Sequence, residues 1–171
     1  MRRLFFALLP PDDLLGHLER DTRDLARSSG GRIVPARNFH VTLLFVGEVL
    51  QSLVPAVIAA GAATASPAFR LALDRIDAWP GSNVLVLTAA HTPAALVTLV
   101  EGLRFNLLSR QIKLKREIYR PHITLARNLP RLRPMEQLVP VEWPATQFVL
   151  IDSTVTHSGS VYEVLGRWPL A

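Results

Sequence analysis

Asn38-Phe39-His40-Val41-Thr42-Leu43-Leu44-Phe45-Val46 and, 82 residues further on, Arg120-Pro121-His122-Ile123-Thr124-Leu125-Ala126-Arg127 are the two stretches that decide how this chain folds. Both are apolar and β-branched enough to be strands. In a strand, residues i and i+2 share a face. Each stretch therefore shows a histidine and a threonine on one surface and turns apolar side chains to the other. Five histidines occur, yet only His40 and His122 head an apolar–Thr–apolar sequence; His17, His91 and His157 are followed by Leu-Glu, Thr-Pro and Ser-Gly. Ten threonines and 49% apolar residues give a random histidine about a 1.4% chance of heading that pattern. A pair among five would then arise about twice in a thousand sequences. The repeat marks a paired site.

Working outward, Leu4–Leu9 is a buried strand, and Pro10-Pro11-Asp12-Asp13 opens a helix reaching about Ala26, with Leu14, Leu15, Leu18 and Leu25 as its apolar stripe. Phe39–Val46 is a strand closed by Gly47-Glu48, and 52–65 a mostly buried helix. Phe69–Trp79 and Val84–Ala89 form a hairpin around Pro80-Gly81-Ser82-Asn83. Pro93–Ser109 is a helix, Ile118–Ala126 a strand, and Pro130–Pro140 a loop. Phe148–Thr156 and Val161–Trp168 make a closing hairpin. The offset of 82 also takes Leu14 to Leu96, Leu18 to Val100 and Leu25 to Leu107, so an internal duplication is expected. The fold class is α+β: two pseudo-symmetric lobes, each an antiparallel sheet with helices outside, enclosing a central cleft. One domain, 1–171, contains both motifs.

The formal charge is +5, and it is unevenly spread. Arg104 to Arg133 contains nine basic residues against Glu117 alone, a net +8, leaving −3 elsewhere. Such a run attracts polyanions, nucleic acid first. Lys113, Lys115 and Arg116 are its candidates for RNA backbone contact. Cysteine is absent, which removes thiolate nucleophiles, disulfides and zinc–thiolate sites. The opening apolar run, Leu4 to Leu9, is too short for a signal core, and no stretch reaches the roughly 18 apolar residues of a membrane span. A cytoplasmic monomer is expected.

A pair of histidines suits the opening of a cyclic phosphodiester. A base must deprotonate water while an acid protonates the departing ribose oxygen on the far side of phosphorus. An imidazole with a pKa near 6.5 can do either. Thr42 and Thr124 hydroxyls can donate to the charge growing on the non-bridging oxygens. Arg120, two residues before His122, shares its face by strand parity and offers phosphate a planar fork. Arg127 is a further candidate: it follows the motif, but by the same parity it faces away from His122 unless the strand twists or ends. Phe45, Trp79 and Tyr162 could stack on a base, but strand aromatics are more often core. Two histidines with no third ligand do not make a metal site, and no cofactor-binding motif is present.

The doubled His-x-Thr-x tetrapeptides, with Arg3-Leu4-Phe5-Phe6-Ala7 and the ending Gly159-Ser160-Val161-Tyr162 … Trp168-Pro169-Leu170, resemble the two-histidine phosphoesterases. Within them the chain is most similar to the RNA 2′,3′-cyclic phosphodiesterases, also called 2′–5′ RNA ligases or LigT-like proteins. The resemblance implies His40 as proton donor, His122 as proton acceptor, and a 2′-phosphomonoester product. It also implies ATP-independent joining of a cyclic-phosphate end to a 5′-hydroxyl. RNA with 2′,3′-cyclic phosphate ends, tRNA fragments among them, is the expected partner. The alternatives are a phosphodiesterase for small cyclic nucleotides and a non-catalytic RNA-binding module.

Overall fold

The computed structural model describes residues 1–115, 118–130, 136–157 and 159–171, with the backbone alone at 136–139. The chain begins with β1 (Arg2–Leu8), α1 (Asp12–Ser28), the short β2 (Arg32–Ile33) and β3 (Val41–Val49). Next come α2 (Val54–Ala62), β4 (Phe69–Trp79), β5 (Val84–Thr88) and α3 (Ala94–Leu108). It closes with β6 (His122–Arg127), β7 (Glu136–Ala145), β8 (Gln147–Thr156) and β9 (Gly159–Pro169). The strands form two antiparallel sheets, ordered β3-β1-β8-β9 and β2-β6-β5-β4-β7. In each, the strand carrying a motif lies beside the strand that precedes it across a helix: β3 beside β1, β6 beside β5. The fold class is thus α+β.

Period-two alternation decides which side chains each sheet buries. In β1, Leu4, Phe6 and Leu8 enter the main core with Leu18 of α1, Leu103 of α3 and Leu125 of β6. Phe5 and Ala7 point the other way, into a small second cluster with Val149 and Ile151. β1 is therefore covered on both faces, and its second face carries part of the site described below. One continuous core joins side chains of both sheets and all three helices.

Three local expectations change. Pro130–Pro140 was expected to be loop, but β7 begins at Glu136. A strand with Pro140 and Pro144 is tolerated because β7 is the edge of its sheet, where a missing N–H costs no ladder bond. Trp143 and Ala145 are buried while Glu142 and Pro144 are exposed, the alternation of a one-sided edge strand. Residues 131–135 of that expected loop lie outside the described residues. Gly47 does not close β3. It sits at φ 86°, where the register slips between Leu4↔Gly47 and Phe5↔Phe45, and the strand continues to Val49. The strand expected from Ile118 starts only at His122.

α2 is held to the first sheet by Trp168 of β9, whose ring also contacts Phe6 and Phe148. A Cβ at Gly61 would stand 2.6 Å from that ring. Gly61→Ala should therefore lower the thermal midpoint by roughly 2–8 °C, overpacking outweighing the gain in helix propensity. Gly81→Ala, in open space, should stay within about 2 °C of the parent in the same calorimetric scan.

Candidate active site

Both motif strands slip register just after the threonine. In β3, Ala7 faces Thr42 and Phe6 faces Leu44, which leaves Leu43 as the extra residue. In β6, Val86 faces Thr124 and Leu85 faces Ala126, leaving Leu125. The consequence is visible in burial: Leu43 and Leu44, like Leu125 and Ala126, are consecutive buried residues. A bulge resets the parity of everything after it. Phe45 and Arg127 therefore return to the faces of Thr42 and Thr124. Parity along an unbroken strand would turn Arg127 away from His122; the bulge breaks that parity. Its positive charge reaches both histidines and Tyr162.

Each imidazole is fixed in the same way. His40 Nδ1 lies 2.7 Å from the Asn38 carbonyl and His122 Nδ1 2.7 Å from the Arg120 carbonyl. A carbonyl only accepts, so each Nδ1 carries a proton and donates it. Each Nε2 is left to the cleft, as a lone pair on the neutral ring or an N–H on the cation. The chain beside each of these carbonyls is tied down in turn. Asn38 Nδ2 donates to Ser160 O at 2.9 Å, and Thr88 Oγ1 donates to Pro121 O at 2.8 Å.

The ring walls differ. His40 is flanked by Phe5 at 5.0 Å and, edge-on, by Tyr162 at 5.3 Å. His122 lies 4.5 Å from Trp79, over which the Arg120 guanidinium sits at 5.8 Å. Phe45, 43% exposed, contacts Phe5 at 5.5 Å. The three aromatics expected in the core are thus all at the site. Arg120 precedes β6 and reaches His122 through Trp79, not by strand parity.

Each histidine lines a cavity. One, about 360 Å³, is lined by His40 and Thr124 with Arg32, Arg37, Arg127 and Tyr162. The other, about 280 Å³, is lined by His122 and Thr42 with Phe45, Trp79, Arg104 and Arg120. Each therefore combines the histidine of one strand with the threonine of the other. Neither threonine hydroxyl has a hydrogen-bond partner among the described residues. Lys113 and Lys115 are exposed but line neither cavity; Arg116, like Arg131 and Arg133, lies outside the described residues. The arginines that the charge run did not point to, Arg32 and Arg37, come from β2 and the turn after it. Their signal was weak, because each stands alone in its segment. No group of three or more His, Asp or Glu side chains among the described residues could hold a metal ion.

Burial disfavours the charged imidazole. It pushes His40 down to about 4, with the Asn38 carbonyl opposing and the charges of His122 and Arg127 adding. His122 is lowered too, for the same first reason, with the Arg120 carbonyl opposing and Arg127 adding. Burial raises the Tyr162 hydroxyl, opposed by Arg127, the Ser160 hydroxyl and Arg3.

The family model described as LigT like Phosphoesterase matches residues 8–86, which include the first motif. A Thermus thermophilus protein named RNA 2′,3′-cyclic phosphodiesterase is 32% identical, the match covering 98% of this chain and 90% of the relative. The chain belongs to the LigT-like phosphoesterase family. An Escherichia coli protein of the same name is 29% identical, the match covering 99% of this chain and 97% of the relative. The crystal structure of E. coli LigT complexed with 3′-AMP superposes with a TM-score of 0.90 at 28% identity, covering 99% of this chain and 98% of that one. No helix of this phosphoesterase is long and apolar enough to cross a membrane among the described residues.

The depressed histidines link site to stability. Above pH 6.5 both states leave His40 neutral. As pH falls from 6.5 towards 4 the unfolded chain binds a proton that the folded one does not, so stability is lost through that window. Urea midpoints at pH 7 and pH 5 should diverge in the parent, and less in His40→Gln. Added inorganic phosphate, by favouring the charged imidazoles, should narrow the parent's difference.

Proposed function

We propose that this LigT-like phosphoesterase opens 2′,3′-cyclic phosphates at RNA ends, with His40 as acid and His122 as base. The observation that carries the reading is the matched pair of imidazoles, each committed through Nδ1 to a backbone carbonyl and each beside the other strand's threonine. The names of the Thermus and E. coli relatives point to the same substrate. His122 Nε2 takes a proton from water, the oxygen attacks phosphorus, the P–O3′ bond breaks, and O3′ takes the proton of His40 Nε2. The product keeps its phosphate on O2′. Thr42, Thr124 and Arg127 donate to the non-bridging oxygens as charge builds there.

The direction of proton transfer fits the environment. His40, the more strongly desolvated ring, is the stronger acid once charged, and His122 the stronger base. The cost is population, since burial leaves little of His40 charged in the free enzyme. A 5′-hydroxyl in place of water would give a 2′–5′ phosphodiester with the same two roles. We read the two β-α-β units as copies of one ancestral unit, because α3 (Ala94–Leu108) starts 82 residues after α1 (Asp12–Ser28). The protein acts, on this reading, as a cytoplasmic monomer on RNA ends, those of cleaved tRNA among them. No metal takes part.

The test is turnover of an RNA ending in a 2′,3′-cyclic phosphate, with the product identified. His40→Ala and His122→Ala should each reduce turnover by about 10² to 10⁴, and excess chelator should leave the parent's rate intact. Both histidines are depressed, so kcat/KM should be bell-shaped in pH with its maximum below 6.5, its limbs belonging to the coupled pair. The kcat profile should lie at higher pH, because bound phosphate favours the charged ring. A near-parental rate for either alanine variant rules the mechanism out.

A further inference from the structure

The wall of the His40 cavity carries more positive charge than one phosphate requires. Arg32 of β2 lies directly opposite Arg127 of β6 in the antiparallel register. Like charges placed so repel each other. Arg37, in the turn Ala36–Asn38 that leads into His40, lines the same cavity. No carboxylate lines it, and none of these three arginines joins an ion pair among the described residues. At about 360 Å³ the space falls in the range of small-molecule sites, roughly 300–1,000 Å³, well beyond a single phosphate. Thr124 and Arg127, on the His40 side, suffice for the reacting group. Arg32 and Arg37 lie on strands and turns outside it.

We infer that Arg32 and Arg37 form a second phosphate subsite, which takes the internucleotide phosphodiester just upstream of the cyclic phosphate. This rests on the reading of His40 as proton donor. The departing O3′ then faces His40, so its ribose lies on the His40 side of phosphorus. The 5′ carbon of that same ribose carries the next phosphodiester. The cations that meet it are those of β2 and the following turn, and the like-charge pair Arg32–Arg127 is relieved when an anion enters between them. The His122 side offers aromatic surface and its own arginines, but by this geometry it receives the attacking oxygen. The chain is thereby suited to ends of an RNA chain over free cyclic mononucleotides.

The experiment compares kcat/KM for adenosine 2′,3′-cyclic phosphate, its 5′-phosphorylated form, and a dinucleotide ending in the cyclic phosphate. The parent should favour the dinucleotide over the mononucleotide by about tenfold to a hundredfold, the worth of one or two charge-assisted hydrogen bonds. Arg32→Ala and Arg37→Ala should each shrink that ratio, and the double variant should bring it near one. Arg32→Ala should also raise the ligand-free thermal midpoint by about 1–3 °C, because it removes a like-charge pair. Equal kcat/KM for all three substrates in the parent overturns the subsite while leaving the phosphodiesterase reading standing. Preference for the 5′-phosphomonoester without preference for the dinucleotide overturns its assignment to a diester. Failure to hydrolyse any of the three overturns the underlying reading and the subsite with it.

Discussion

The bond from each imidazole Nδ1 to the carbonyl two residues earlier is the constraint on which the site depends. It settles which ring nitrogen faces the cleft without a carboxylate partner among the described residues, whose side chains place no negative charge in either cavity beside the histidines. A carbonyl can do this only if it is immobile. Asn38 is tied by its side chain to the tip of the β8–β9 hairpin, and Pro121 by Thr88 to the neighbouring strand. The two rings thus inherit their orientation from different sheets, each through backbone that a third element holds.

The bulges are the second device. Without one after Thr124, Arg127 would enter the core side of β6, where Leu125 and Ala126 are fully buried. With it, a guanidinium joins the histidine face and its field spans both rings. The corresponding bulge in β3 places Phe45 there instead. Matching backbone irregularities therefore carry unlike side chains, and the cleft is cationic on the His40 side and more aromatic on the His122 side. Phe5 supports this asymmetry, since its ring touches His40, Phe45 and Tyr162 from the second face of β1.

Which parts of this were legible follows from the range of the forces involved. The Phe69–Trp79 and Val84–Thr88 hairpin, α3 and the two strands that carry the His-x-Thr-x tetrapeptides were readable because local alternation, turn residues and motif spacing all agree. The side on which Arg127 falls was not legible because parity presumes an unbroken ladder, and a bulge leaves no mark in Leu125-Ala126 beyond two apolar neighbours. β7 was missed because Pro140 and Pro144 are legitimate breakers everywhere except on an edge, and edge position is a property of the sheet. The aromatics at the site could not be told from core aromatics, since Trp79 and Phe45 sit at ordinary strand positions. Lys113 and Lys115 show the converse: density of charge along a sequence does not say which charges a cleft receives, and Arg32 opposite Arg127 is visible only as a register.

Desolvation of the histidines has a cost that the substrate itself offsets. In the ligand-free protein, burial and the proximity of Arg127 disfavour the charged form of both rings. A phosphate anion entering between them reverses each of these terms, because its charge replaces lost hydration and screens Arg127 from the rings. On the proposed mechanism, protonation of one histidine is thereby coupled to binding, and the acid is assembled only when there is a phosphate for it to act upon. On that mechanism, too, the stronger the burial of His40, the more of its protonation must be driven by the ligand, and the stronger an acid it is when the P–O3′ bond breaks. An exposed histidine pair would hold its proton more readily and deliver it less forcefully. Under that proposal the packing of Phe5 and Tyr162 against His40 tunes the acid, and its stability cost in mild acid is the same free energy seen from the unfolded side.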